Sequence, residues 1–362
     1  MAMVLAGTGI GGLLATGTSP GEARACGLFR PRTGEMPALE VEQVLVLFDA
    51  EKNVEHFVRE ITFTNASKPF GFVVPVPAKP EVAKVDVSPF PKLNERFPFK
   101  DPSEGFGDRG VGSGSPAGIS KGRGGTVQVL ETKKVGSFTA FTIAADDAAA
   151  FRRWLDTNQF ETSPESERWL AHYVDLRFTY VALRFDGRPM GDATTGGANG
   201  AKVSAVGTTS ETLRISFPTD VPFYPYLEPT APAADAPRVL AVWFVSDRAR
   251  TPVALAPGPA SDVPWKRPWR EGKRYEDLGR YATTIVFPEG LRKFVPETKP
   301  SENDGVFRPA SLTVQHFEDQ KRSRVGWGDV LFVPEMASGT TTGKDAISTL
   351  VRVLDPKTGG AR

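Results

Sequence analysis

Between Glu40 and Asn65 apolar side chains recur at every second position, stop at a polar turn, and recur again. This pattern limits what the chain can fold into more than any other feature. Val44, Val46 and Phe48 alternate with Leu45 and Leu47 on the outward run, and Phe57, Ile61 and Phe63 alternate with His56, Val58 and Glu60 on the return. Successive side chains of a strand point to opposite faces, so the stretch predicts a β-hairpin with Asp49-Ala50-Glu51-Lys52-Asn53 as its turn.

The same grammar recurs downstream. "FGFVVPVPAKPEV" is a strand that should stop near Val74 or run along an edge, because Pro75 and Pro77 cannot donate ladder hydrogen bonds. "SPFPKLNERFP" reads as a short helix or turn. Thr126 to Ala145 gives two strands; "FTYVALRFD", "ETLRISFP" and the buried "RVLAVWFVSD" give three more. Further strands are expected near Thr283 to Phe287, at Leu312 to Phe317 and in "DVLFVPE". "FYPYLEPTAPAADAP" reads as a Pro/Ala connector. Two helices interrupt the strands. Asp146 or Asp147 caps the first, which carries Phe151, Trp154 and Leu155 on one face. Thr162-Ser163-Pro164-Glu165 opens the second, which carries Trp169, Tyr173 and Leu176.

The 31 Pro and 36 Gly in 362 residues fit many turns and short strands, and 24 Phe against 5 Met fit a pleated aromatic core. Asp101 to Gly125, with nine glycines, and Asp186 to Ser210 read as long polar surface loops. The expected fold class is α+β: predominantly antiparallel β-sheets with a helical pair inserted near the middle. Residues 26–250 form the β-rich domain, and 251–362 a less regular C-terminal extension packed on it.

The amino end carries Gly7, Gly9 and Gly12 at the spacing of a dinucleotide-binding loop. That spacing has meaning only between a strand and a helix, with an acidic residue closing the next strand. Here Gly17, Pro20 and Gly21 break the required helix. A secretion signal over residues 1–25 fits better: an apolar run, then Ser19-Pro20-Gly21, then the cleavage pattern Ala23-Arg24-Ala25 before Cys26, although no Lys or Arg precedes the run. Cys26 then starts the mature chain, either bare after ordinary cleavage or as a lipid attachment point. It is the sole cysteine, so no intrachain disulfide forms.

The order of "VEQVLVLFD", "FGFVVPVPAKPEV", "VGSFTAFTIAADDAAAFRRWLDTNQF", "LAHYVDLRFTYVALRF" and "TLRISFPTDVPFYPYLEPTA" resembles the bacterial exported family called Domain of Unknown Function 2330. The resemblance runs from about Cys26 to Asp247, and is most specific at Phe72 to Pro77 and Asp146 to Leu155. It implies export and a shared fold. It implies no reaction and supplies no catalytic residues. The early second cysteine found in many members is missing here, so a family disulfide does not carry over.

Sites of chemistry are sparse. His56, His172 and His316 match no local metal-ligand spacing and read as surface or interface residues. "GSGSPAG" lacks the strand and helix of a nucleophile elbow. Asp146-Asp147 reads as a helix cap. No metal or cofactor is expected, and no apolar segment after residue 30 is long enough to span a membrane. The most distinctive stretch is "PWKRPWREGKRYEDLGRYA", where Trp265, Lys266, Arg267, Trp269, Arg270, Lys273, Arg274 and Tyr275 interleave basic and aromatic groups. This is the composition of a stacking or polyanion-binding surface, and equally of cation–π packing. A formal net charge of +1, from 44 basic and 43 acidic residues, argues against nucleic acid as the partner. The leading expectation is an exported protein, periplasmic or extracellular, that acts as a non-catalytic binding or assembly module toward an envelope polymer or protein. The alternative is an envelope-polymer hydrolase.

Overall fold

A computed structural model describes residues 28–29, 38–64, 70–98, 125–160, 162, 164–185, 208–228, 239–255, 265–272, 274–276, 287–295, 312–319, 324 and 327–335. The expected signal segment, Cys26, most of the two Gly-rich loops, and the strand expected at Thr283 to Phe287 apart from Phe287 lie outside the described residues.

The hairpin forms as its alternation requires. Strand β2 (Ala38–Asp49) pairs antiparallel with β3 (Val54–Thr64), opposing Val46 to Phe57 and Leu45 to Val58. Its turn is fastened by Asp49, whose Oδ1 accepts the N–H groups of Glu51 and Lys52 at 3.1 Å. Asn53 closes it at φ 51°, a left-handed conformation that Asn tolerates. The hairpin lies in the middle of an eight-stranded central sheet. Beyond β3 come β10 (Leu213–Pro218) and β5 (Glu81–Lys84), while β9 (Thr208–Thr209) caps the end of β3. Beyond β2 come β12 (Val239–Ser246), β16 (Thr313–Asp319) and β15 (Arg270–Glu271). β12 runs parallel to β2; every other described strand pairing is antiparallel.

A five-stranded sheet orders β1 (Leu28–Phe29), β4 (Gly71–Val76), β8 (Thr179–Phe185), β7 (Phe138–Ala145) and β6 (Val127–Val135). β4 continues through Pro75, past the stop expected near Val74. β1 covers only Gly71 and Phe72, so the rest of β4 is an edge, where proline is tolerated. A four-stranded sheet orders β11 (Phe223–Tyr224), β17 (Val330–Pro334), β13 (Arg250–Leu255) and β14 (Trp265–Lys266).

Three apolar clusters stack these sheets into four layers. Val44, Val46, Phe57, Ile215, Val242 and Phe317 of the central sheet face Phe72, Val74, Phe138 and Leu183 of the five-stranded sheet and Tyr224 and Phe332 of the four-stranded one. The opposite central face, with Leu45, Leu47, Val58 and Trp243, is covered by α1 (Phe90–Arg96) and α4 (Glu289–Arg292). The outer face of the other two sheets is covered by the expected helical pair, α2 (Ala148–Thr157) and α3 (Pro164–Asp175). Each fully buried Phe, Leu or Val contributes on the order of 2 kcal/mol.

Two of these findings change the reading of the C-terminal region. β16 lies against β12, inside the central sheet, and β17 lies between β11 and β13. Residues beyond 250 therefore complete both sheets, and are not an extension packed on a finished domain. The "FYPY" stretch is likewise more than a connector: Phe223, Tyr224 and Tyr226 are buried, because β11 pairs with β17.

Candidate functional site

The unusual chemistry of this fold lies between its layers. On β2, Glu42 is in phase with Val44, Val46 and Phe48, so its carboxylate points between the sheets. On β3, Glu55 and Arg59 are in phase with Phe57 and Ile61, and point the same way. Arg59 stands opposite Val44, one diagonal step from Glu42, and its Nε lies 2.8 Å from Glu42 Oε1. The Tyr224 hydroxyl donates to the same oxygen at 3.0 Å, and the Arg59 guanidinium sits 4.9 Å from the centre of the Phe72 ring.

Leu240 carries the row across the sheet, because it opposes Glu42 on one side and Asp319 on the other. Arg324 bridges these acids. Its Nε lies 3.2 Å from Asp319 Oδ2, and its Nη1 lies 3.6 Å from Glu42 Oε2 and 3.7 Å from Glu228 Oε1. The Tyr226 hydroxyl donates to Asp319 Oδ2 at 2.8 Å, and the guanidinium lies 5.1 Å from that ring's centre. Arg324 and Glu42 are both 0% exposed. Burial alone would lower the pKa of Arg324, but the surrounding acidic groups outweigh it and raise it well above its ordinary value.

Two further carboxyls close the network. Asp329 Oδ1 accepts the Tyr173 hydroxyl and the N–H groups of Tyr226 and Leu227, each at 2.9 Å. Glu55 Oε2 accepts the Phe223 N–H at 2.7 Å. Burial raises the pKa of both acids despite these bonds, and for Glu55 the rise is large. Together they pin the backbone of residues 223–227 between β3, β17 and α3. Sealed charges of this kind hold layers in register; once one partner is removed, the other is stranded.

The basic and aromatic stretch does not form one surface. Trp269 is 6% exposed and packs against Tyr224, Tyr226, Phe317 and Phe332, so it belongs to the inter-sheet core. Arg274 is ion-paired with Glu271 and Glu335, which raise its pKa above the usual arginine value. Tyr275 packs edge-on to Phe97 at 4.7 Å. Arg267 and Arg270 are exposed, on a strap whose β15 forms the edge of the central sheet. Trp265 and Lys266 pair through their backbones with Leu255 and Ala254; their side chains, and Lys273 altogether, lie outside the described residues. Of the three histidines, expected at the surface or at an interface, His172 is exposed in the last turn of α3, whereas His56 and His316 are buried in the outer face of the central sheet. Among the described residues no three metal-ligating side chains converge, and no helix is long and apolar enough to cross a membrane.

Residues 20–254 match the family of uncharacterized proteins conserved in bacteria called Domain of Unknown Function 2330. The chain belongs to this family. The family match takes in Glu42, Glu55, Arg59, Tyr224, Tyr226 and Glu228, whereas Asp319, Arg324, Asp329 and the whole basic and aromatic stretch lie beyond it. No curated protein matches the sequence. Among solved structures the chain is similar to the crystal structure of baculovirus P35, with a TM-score of 0.32 and 9% identity over 86% of this chain and 100% of that one.

Three charged residues of the buried network carry a sequence signal. Glu42, Glu55 and Arg59 sit at core-facing positions of an alternating pattern, where a charge needs a buried partner. Asp319 ends β16, whereas Glu228, Arg324 and Asp329 lie outside the strands, and only the pairing of distant segments brings the four together.

Proposed function

We propose that the protein is exported, to the periplasm or the cell exterior, and acts there as a non-catalytic binding or assembly module of the envelope. One observation carries the reading. The acids and bases from which a reaction centre would be built, Glu42, Glu55, Arg59, Asp319, Arg324 and Asp329, are sealed between layers and engaged in holding them. The exposed guanidinium groups of Arg267 and Arg270 lie instead on the strap at the edge of the central sheet, anchored from below by Trp269. Such a rim suits an anionic envelope polymer or an acidic protein face. Export is supported by the Ala23-Arg24-Ala25 pattern before Cys26.

Two measurements test this reading. Mass spectrometry of the protein from a bacterial envelope fraction should find a chain starting at Cys26, bare or lipid-modified; an intact Met1 overturns export. Co-sedimentation with an anionic cell-wall polymer should weaken steeply as salt rises, and an Arg267→Ala/Arg270→Ala double variant should bind less. A flat salt response with undiminished variant binding removes the polyanion partner.

A further inference from the structure

The outer face of the central sheet holds both buried histidines. His56 on β3 shares this face with Val58, and His316 on β16 shares it with Val314. His316 stands opposite Trp243, and His56 opposite Leu47. Above them lies the cover of α1, α4 and the strap around Tyr275, whose apolar contacts with the sheet are Phe90, Leu93, Phe97, Phe287, Leu291 and Val295.

His56 occupies a site that disfavours its charged form. Its Nδ1 lies 2.8 Å from Ser216 Oγ, and Arg214 Nη1 donates to that oxygen at 2.7 Å. An arginine cannot accept, so Ser216 Oγ accepts from Arg214, and it donates to or accepts from His56 Nδ1 according to the imidazole tautomer. With both ring nitrogens protonated, the imidazolium and the guanidinium would aim two cationic donors at that one oxygen. Phe294, just beyond α4, closes the site, with its ring centre 4.4 Å from the imidazole and 3.9 Å from the Arg214 guanidinium carbon. The charged groups around His56 are Arg214 on β10, Lys52 and Asp49 at the hairpin turn, and Glu81 on β5; Lys293, next to Phe294, adds another cation to the cover.

His316 is 0% exposed. Gly272 of the strap lies so close above its ring that a Cβ there would overlap the imidazole. The Gly272 N–H donates to the His316 carbonyl at 2.9 Å, and the Tyr275 ring lies 6.3 Å from the imidazole. Of the strap's charges, Glu271 pairs with Arg274, which also meets Glu276 and Glu335, while Arg267 and Arg270 are exposed. A cation at His316 would lie buried beneath the strap and the apolar cover, where a charge is costly.

We infer that this cover is an acid-sensitive latch: protonation of His56 and His316 beneath it loosens α1, α4 and the strap, and bares the apolar face around Leu45, Leu47 and Trp243. The titration agrees in sign. Burial, joined at His56 by the Arg214 charge, lowers both imidazoles from 6.5 to about 4. A lowered histidine binds protons more readily in the open state, so closure is favoured above pH 6.5 and weakens as pH falls toward 4.

Hydrogen exchange of the full chain, corrected for the intrinsic pH dependence of exchange, tests the latch. Between pH ~7 and ~4.5, protection in residues 90–97 and 287–295 should fall by roughly tenfold to a hundredfold, while β2 and β12 keep theirs. Binding of an apolar dye should rise over the same range. In a His56→Asn/His316→Asn double variant this response should be lost. Unchanged protection in the wild type, or a full response in the double variant, overturns the latch. If the double variant does not fold, His56→Asn alone decides: a reduced response supports the latch and an undiminished one overturns it.

Discussion

Arg324 lies within salt-bridge reach of Asp319, Glu228 and Glu42, and it shares Glu42 with Arg59. Replacing it with Met removes a fully buried cation from among three carboxylates, of which Glu42 keeps Arg59 and Asp319 keeps the Tyr226 hydroxyl. The expected cost is about 3–5 kcal/mol, read as a shift in the urea midpoint at constant slope. Arg324→Lys should recover only part of this. A single ammonium on a flexible stem cannot place separate nitrogens toward Asp319 on one side and toward Glu42 and Glu228 on the other. A wild-type midpoint for the Met variant would show that the network is not what holds these layers.

Among the elements, α2 shows how a local signal becomes a local contact. Its N-cap is Asp147, whose Oδ1 accepts the Ala150 N–H at 2.7 Å, while the neighbouring Asp146 turns back to Thr126 at the start of β6. Asp147→Ala should therefore cost about 1 kcal/mol in a denaturant titration, with the loss seen in α2 by hydrogen exchange. Asp146→Ala should loosen the start of β6 and spare the helix. Equal fraying of α2 in both variants would contradict this division. The hairpin and the helical pair were legible for the same reason as this cap, since their determinants lie within a few residues of one another. The parallel pairing of β12 with β2 was not, because it joins segments almost two hundred residues apart and both read simply as apolar runs. Trp269 misleads in a different way. Its neighbours Arg267 and Arg270 do face solvent, but sequence alone cannot show that the ring between them turns inward onto Tyr224 and Tyr226.

At the scale of the whole molecule, the family match ends at residue 254, while the sheets do not. A chain cut after 254 loses β16, β17 and Trp269, and so leaves Val242 and Phe244 on a bare sheet edge without Phe317 and Phe332 against them. It should lack a cooperative thermal transition; a two-state unfolding curve would show that residues 26–254 fold alone.

The buried acids also set a pH dependence for the intact molecule. Glu55 has a pKa raised well above 4.5, so the folded state holds its proton more tightly than the unfolded state does. Its contribution is fully present below about pH 4.5 and is lost as pH rises through the folded value. Asp329 acts in the same direction, from a starting value of 3.8. Glu55→Gln keeps an oxygen to accept the Phe223 N–H and cannot ionise. Relative to the wild type, it should be of similar stability near pH 4 and should gain stability steadily as pH rises, by up to about 1.4 kcal/mol for each unit of the upward shift it removes. Urea titrations at several pH values give the difference directly. A constant difference across the range would mean that Glu55 is ionised in the folded protein, and that the charge between these layers is balanced by some group other than its own proton.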